Sequence, residues 1–64
     1  MKTISIPFPV PDWVEWVAQD EDGEWWAHEM EPYLWRNVWD NDKDTVFIEK
    51  GSPNPNWRET LRKV

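Results

Sequence analysis

The sequence predicts an all-β domain: a three-stranded antiparallel sheet with an N-terminal Pro-rich extended arm and a C-terminal helical turn. That turn is the one feature that would move the class towards small α+β. Three observations carry the prediction. Two short runs rich in Trp and Val, WVEWVAQ at 13–19 and EWWAHEM at 24–30, flank the turn-forming DEDG, which is a hairpin signal. TVFIE at 45–49 is the strongest β-propensity run in the chain. Pro, Gly and Asn cluster between and beyond these runs, where strands end.

Taken in order, PFPVP at 7–11 alternates proline with apolar side chains. That fixes φ, removes amide donors and favours a stiff arm laid across the sheet. No basic residue stands close enough to make it a ligand for an SH3-type groove. Asp12 beside Trp13 offers a cap for one helical turn. In the hairpin, a two-residue Asp22-Gly23 turn would set Glu21 against Glu24. A three-residue loop, with Glu21 and Asp22 in a type I turn and Gly23 left-handed, avoids that pair but sets Asp20 against Glu24 at the loop's edge; it is preferred for the way it divides the faces. It puts Val14, Trp16 and Ala18 on the face of Trp26, His28 and Met30, the expected core face. Glu15, Val17, Gln19, Trp25, Ala27 and Glu29 then share the other, mixed face. Strand neighbours point to opposite faces, so Trp26 enters the core and Trp25 needs another cover.

Pro32 stops the second strand. In YLWRNVWDNDKD, Trp35 and Trp39 stand four apart, but Asn37 and the polar residues that follow argue for a structured loop with at most one helical turn. Gly51-Ser52-Pro53-Asn54-Pro55 breaks the third strand. NWRETLRKV then suggests Asn56 as N-cap, Glu59 as its box partner, and Trp57 and Leu61 on one helical face. The expected organisation is a single small domain: arm over 1–12, sheet over 13–50, turn and tail over 51–64.

Composition excludes more than it assigns. Thirteen Asp and Glu against seven Lys and Arg leave a net charge of −6, which disfavours direct nucleic-acid binding and anionic membranes. The first residues have no secretory apolar run, and no segment reaches the ~20 apolar residues of a membrane span. Cysteine is absent, so no disulfide supports a chain that buries only about 60% of its unfolded surface. Asp40, Asp42 and Asp44 alternate as calcium ligands do, but Thr45 stands where the loop needs glycine and Gly51 where it needs a bidentate Glu. Weak divalent binding stays open there; no cofactor or specific metal is expected. His28 is the single histidine. Beside Trp16 and Trp26 it suits a ring that packs on one side and finds one hydrogen-bond partner. Ser5 and Ser52 lack a base within reach, and a chain this small has little room for a catalytic cleft. The expectation is a non-enzyme.

What remains is an excess of aromatic rings. Each large ring can bury roughly 150–250 Å², and the seven tryptophans exceed what so small an interior holds. Surplus exposed Trp and Tyr mark interfaces. Trp25, Tyr33, Trp35 and Trp39, rimmed by carboxylates, form the expected partner patch, and the acidic rim would speed approach to a basic surface. Two alternatives stand beside this interaction module: an acidic DNA mimic that inhibits a nucleic-acid-binding protein, and a Trp platform that binds carbohydrate. A homodimer through the TVFIE edge competes with all of them.

Read as strings, VAQDEDGEWWAHEMEPY and NPNWRETL resemble short, acidic, Trp-rich proteins of uncharacterised function encoded by tailed phages and prophages. The resemblance covers roughly 13–33 and 51–64. It implies a setting, a bacterial host cytoplasm, and by analogy a partner, a host bacterial protein. It implies no reaction, and no functional residue is carried over from it.

Overall fold

The computed structural model describes residues 2–3 and 9–64. Of the N-terminal arm, Pro7 and Phe8 lie outside the described residues, as does Ser5. The strands are β1 (Lys2–Thr3), β2 (Pro9–Val10), β3 (Trp16–Gln19), β4 (Glu24–His28), β5 (Tyr33–Trp35), β6 (Val38–Asp40), β7 (Thr45–Lys50) and β8 (Arg62–Lys63), with a 3-10 turn, η1, at Trp57–Glu59. All pairings are antiparallel: a main sheet in the order β7-β4-β3-β8 and two ribbons, β1-β2 and β5-β6. The all-β expectation holds, with three corrections.

The main sheet has four strands, not three. Arg62 and Lys63 of the tail pair with Val17 and Trp16, and the Val64 N–H donates to the Glu15 carbonyl at 2.9 Å. A two-residue bridge leaves no propensity signal; it forms because β3 would otherwise present an unpaired edge. The segment read as a loop is the β5-β6 hairpin, in which Tyr33, Leu34 and Trp35 face Asp40, Trp39 and Val38 around Arg36-Asn37. Its alternation is two short strands, and the four-residue spacing of Trp35 and Trp39 is incidental. The helical turn is a single 3-10 turn. Asn56 makes no side-chain cap; instead Asn54 Oδ1 accepts the Asn56 N–H at 2.8 Å and the Asn54 carbonyl accepts the Trp57 N–H at 3.0 Å.

The β3-β4 hairpin takes the expected three-residue register, with Gln19 opposite Trp25 and Ala18 opposite Trp26. The Asp20 carbonyl accepts the Gly23 N–H at 3.0 Å, and Gly23 sits at φ 94°, where a Cβ would also run into the Gly51 carbonyl. Glycine is required on both counts.

Both faces of the hairpin bury side chains: Val14, Ala18 and His28 are buried as expected, but so are Val17, Gln19 and Ala27 of the face expected to be mixed. Val10, Val14, Val17 and Ala27 form the buried apolar cluster, and Val46, Ile48 and Val64 pack on it. Val14 precedes β3, in a turn closed by its own N–H on the Pro11 carbonyl at 3.1 Å, so it does not follow the alternation set by Trp16. The valines and Ala27 pack tightly on one side of the sheet, with Trp25 on the same side, while Trp16, Trp26 and Phe47 lie on the other. A bulge between Trp25 and Trp26 leaves Ile48 unpaired in β7. It lets Val46 and Ile48 both reach the valine cluster while Phe47 meets Trp26 edge-on, at 5.5 Å between ring centroids.

Gln19, assigned to a mixed face, is a buried polar junction. Its side-chain amide donates to the carbonyls of Gly23 at 3.1 Å and Ser52 at 3.0 Å, and its Oε1 accepts from Asn54 at 3.4 Å. Its backbone N–H donates to the Thr60 hydroxyl at 2.8 Å, which donates to the Trp57 carbonyl at 2.7 Å. Gln19→Leu keeps the volume but leaves the Ser52 carbonyl and the Asn54 amide without this partner, so it is expected to cost about 2 kcal/mol. Urea unfolding followed by Trp fluorescence reads that loss directly.

Candidate functional site

The sequence-predicted patch does not assemble as one surface. Tyr33 and Trp35 stand on β5 with 47% and 41% of their surface exposed, and Leu34 and Val38 are exposed beside them. Trp39, on β6, is half-buried, with its backbone N–H on Asp20 Oδ1 at 2.9 Å and its indole N–H directed to the Trp57 carbonyl at 3.4 Å. Trp25 is half-buried on β4, with its indole nitrogen close to Gly51. It shares a face with Gln19, whereas the β5-β6 hairpin covers the opposite face, where Asn41, just beyond β6, meets His28. Trp25 therefore belongs with the C-terminal loop, and of the four predicted residues only Tyr33 and Trp35, both on the hairpin, are exposed.

The arithmetic of indoles comes out as expected. Trp57 alone among the seven is almost fully buried, at 2% exposed; Trp13 and Trp35 are exposed and the other four are half-buried. The half-buried rings carry structural contacts, such as Trp26 on Phe47 and the Lys63 ammonium 5.6 Å from the Trp16 centroid. Trp35 is different. Its ring is covered by the Arg36 guanidinium, 4.4 Å from the centroid, and Arg36 holds φ at 56°. A non-glycine residue in the left-handed region stores strain of the order of 1–2 kcal/mol. Asn37 was the one turn signal in Arg36-Asn37; the alternation of YLW and VWD about these two residues was the further cue.

The acidic segment spends its oxygens on the protein itself. Asp40 Oδ1 accepts the Asn41 N–H at 2.8 Å, Asp42 Oδ1 accepts the Tyr33 hydroxyl at 3.2 Å, and the Asp44 carbonyl accepts the Glu29 N–H at 3.0 Å. Among the described residues no group of three or more His, Asp or Glu side chains is placed to hold a metal ion. No helix there is long and apolar enough to cross a membrane.

His28 packs in the interior and has one hydrogen-bond partner, the Asn41 side-chain nitrogen 2.6 Å from Nδ1. Asn41 Oδ1 already accepts the Lys43 N–H. That fixes the orientation of the amide, so its NH₂ faces the ring and Nδ1 accepts. The proton of the neutral ring then sits on Nε2, which is buried without a partner among the described residues.

Burial pushes the His28 pKa below its ordinary 6.5, against a smaller opposing effect of Asp40. The unfolded chain therefore binds the proton more readily than the folded one. The ring's contribution is fully present above pH 6.5 and drains away as pH falls from there to the folded value. Asp20, raised above 3.8 mainly by burial, acts in the opposite sense: its protonation favours the folded state as pH falls. The urea midpoint is expected to be lower at about pH 5.5 than at about pH 7.5, and His28→Gln is expected to remove the part of that slope due to the ring.

Comparison of the chain with protein-family models, with curated proteins and with solved structures returns no match.

Proposed function

We propose that this chain is a non-enzymatic protein-interaction module that docks through the β5-β6 hairpin on a host bacterial protein, in the phage or prophage setting that its sequence resembles. The observation that carries the reading is the hairpin itself. Tyr33, Leu34, Trp35 and Val38 expose large apolar surface on two adjacent three-residue strands, where burying them within the chain would have been the stabilising choice. Strain at Arg36 lies at the tip of the same element, and backbone strain of this kind concentrates at working surfaces.

Trp and Tyr are the side chains that fill pockets on a partner, and Arg36 extends the Trp35 ring with a planar cation able to pair with a carboxylate. Asp42 and Asp44 beside β6, with Glu29 and Glu31 before β5, give the element an acidic surround. Such a surround speeds encounter with a basic surface more than it tightens the complex. The contact is apolar at its centre, which separates it from phosphate mimicry.

A photo-crosslinker at Leu34 in a bacterial lysate is expected to capture a discrete partner that a crosslinker at Glu49 does not. Tyr33→Ala and Trp35→Ala are each expected to weaken capture by about 30-fold, the equivalent of roughly 2 kcal/mol at a hot spot, with little change in the unfolding midpoint. Capture should persist between about 50 and about 200 mM salt, where a charge-driven mimic would let go. Equal capture by both positions, or by Trp35→Ala, overturns the reading.

Arg36→Gly relieves the left-handed strain and is expected to leave the unfolding midpoint unchanged or higher. If the guanidinium belongs to the docking surface, the same substitution weakens capture. Thermal unfolding and crosslinking yield on one preparation separate the two effects.

A further inference from the structure

β7 is an edge of the main sheet: β4 pairs with one side of it and, among the described residues, no strand pairs with the other. The bonding to β4 fixes which of its backbone groups are free. The Glu29 N–H donates to the Asp44 carbonyl at 3.0 Å, and the Asp44 N–H donates to Glu29 Oε1 at 3.4 Å, so Asp44 turns its backbone polar groups towards β4. In an antiparallel ladder that direction alternates from residue to residue. Val46, opposite Ala27, then also faces β4, and the N–H and C=O groups of Thr45 and Phe47 point away from the sheet. Beyond Phe47 the bulge resets the alternation. The Gly51 N–H donates to the Gly23 carbonyl at 2.8 Å, which turns Glu49, two residues earlier, inward opposite Trp25. Bulges and charged side chains are the means by which an edge is kept from pairing. In β7 both stand in the C-terminal half, and Thr45, Val46 and Phe47 form an uncharged stretch without such protection, with Phe47 46% exposed.

Three features name the occupant of that edge. Free groups two residues apart match a second copy of the same strand, run antiparallel with Val46 on the two-fold axis. In that register each Thr45 faces Phe47 of the second copy, a small side chain beside a large one, and the two Val46 residues meet in a closely spaced non-bonded pair. The flanking sequence is charge-complementary in the same register: Lys43 comes opposite Glu49 of the second copy, and Asp42 opposite its Lys50. Residues 42–50 hold three carboxylates and two ammonium groups, which makes this edge far less acidic than a chain of net charge −6. Two copies meet least repulsion where they approach along it.

We infer that the chain forms a symmetric homodimer in which two β7 strands join edge to edge through Thr45 and Phe47, doubling the width of the main sheet across the two-fold axis. The contact lies on β7, whereas the docking anchors Tyr33 and Trp35 stand on β5 in a separate ribbon, so neither proposal depends on the other.

The interface is short, and its roughly four backbone hydrogen bonds set a dissociation constant on the order of 1 mM. The test is a concentration series of the intact chain, spanning about tenfold on either side of that value, followed by sedimentation and by amide hydrogen exchange. Sedimentation is expected to pass from monomer to dimer. Exchange is expected to slow with concentration at Thr45 and Phe47 and to stay constant at Val46, whose amide is already turned to β4. Thr45→Pro removes one outward N–H at the first residue of an edge strand, where proline leaves the existing ladder intact. It is expected to weaken dimerisation by at least about tenfold, whereas Trp35→Ala is expected to leave dimerisation unchanged. Four results overturn the proposal: a chain that stays monomeric throughout, concentration-dependent protection at Tyr33–Trp35 instead of at Thr45 and Phe47, dimerisation undiminished by Thr45→Pro, or protection of Thr45 and Phe47 only when bacterial lysate is added, which would give the edge to another protein's strand. The exchange pattern of the unmodified chain decides the matter even if the variant fails to fold.

Discussion

The structure depends on one buried amide. Gln19 lies at the end of β3 and ties together three segments: the Gly23 turn, the loop at Ser52 and Asn54, and Thr60 after η1. Each of those segments ends or interrupts a strand, so its carbonyls have no ladder partner, and a chain of 64 residues cannot leave many such groups dry. A residue with one donor pair and one acceptor on a short stem suits the position. Gly23 and Gly51 complete the junction by approaching backbone to backbone, with the Gly51 N–H on the Gly23 carbonyl at 2.8 Å.

With that junction holding the tail, the two faces of the sheet divide their work. Valines and alanine pack one face densely, and this is the conventional hydrophobic core. The other face carries rings and polar side chains, and the β5-β6 hairpin closes over it through Asn41 on His28 and Asp20 on the Trp39 N–H. A cover held by a few polar contacts leaves space beneath it and apolar side chains outside it. The space beneath the hairpin, lined in part by Val38, and the exposed side chains of β5 and β6 thus belong to one incompletely packed layer.

How much of this was legible follows from which signals are local. The β3-β4 hairpin and its register were readable, because Asp22-Gly23 constrains the backbone and the three-residue loop sorts the flanking side chains into two distinct faces. TVFIE was readable from propensity. The face assignment was half right: Val14, Ala18 and His28 are buried as expected, but the indoles of Trp16 and Trp26 are only half-buried, and Val17 and Ala27 of the other face build the apolar cluster. The β5-β6 hairpin was hidden because its turn places the left-handed backbone on Arg36, a residue that rarely takes it. β8 and the Gln19 junction were hidden because both join residues some forty positions apart, with Gln19 and Thr60 separated by 41. For the site, Tyr33 and Trp35 were correctly expected to be exposed, while Trp25 was misgrouped since sequence cannot tell which face a hairpin will cover.

The brevity of β8 has its own consequence. Two residues are all that pair with the outer side of β3, and such a short bridge frays readily. Each opening bares the amides and carbonyls of Trp16 and Val17, an apolar strand edge of the sort that templates cross-chain ladders. While bound, Arg62-Lys63 blocks lateral growth at this edge, and while it is loose the chain's net charge of −6 opposes association of neighbouring copies.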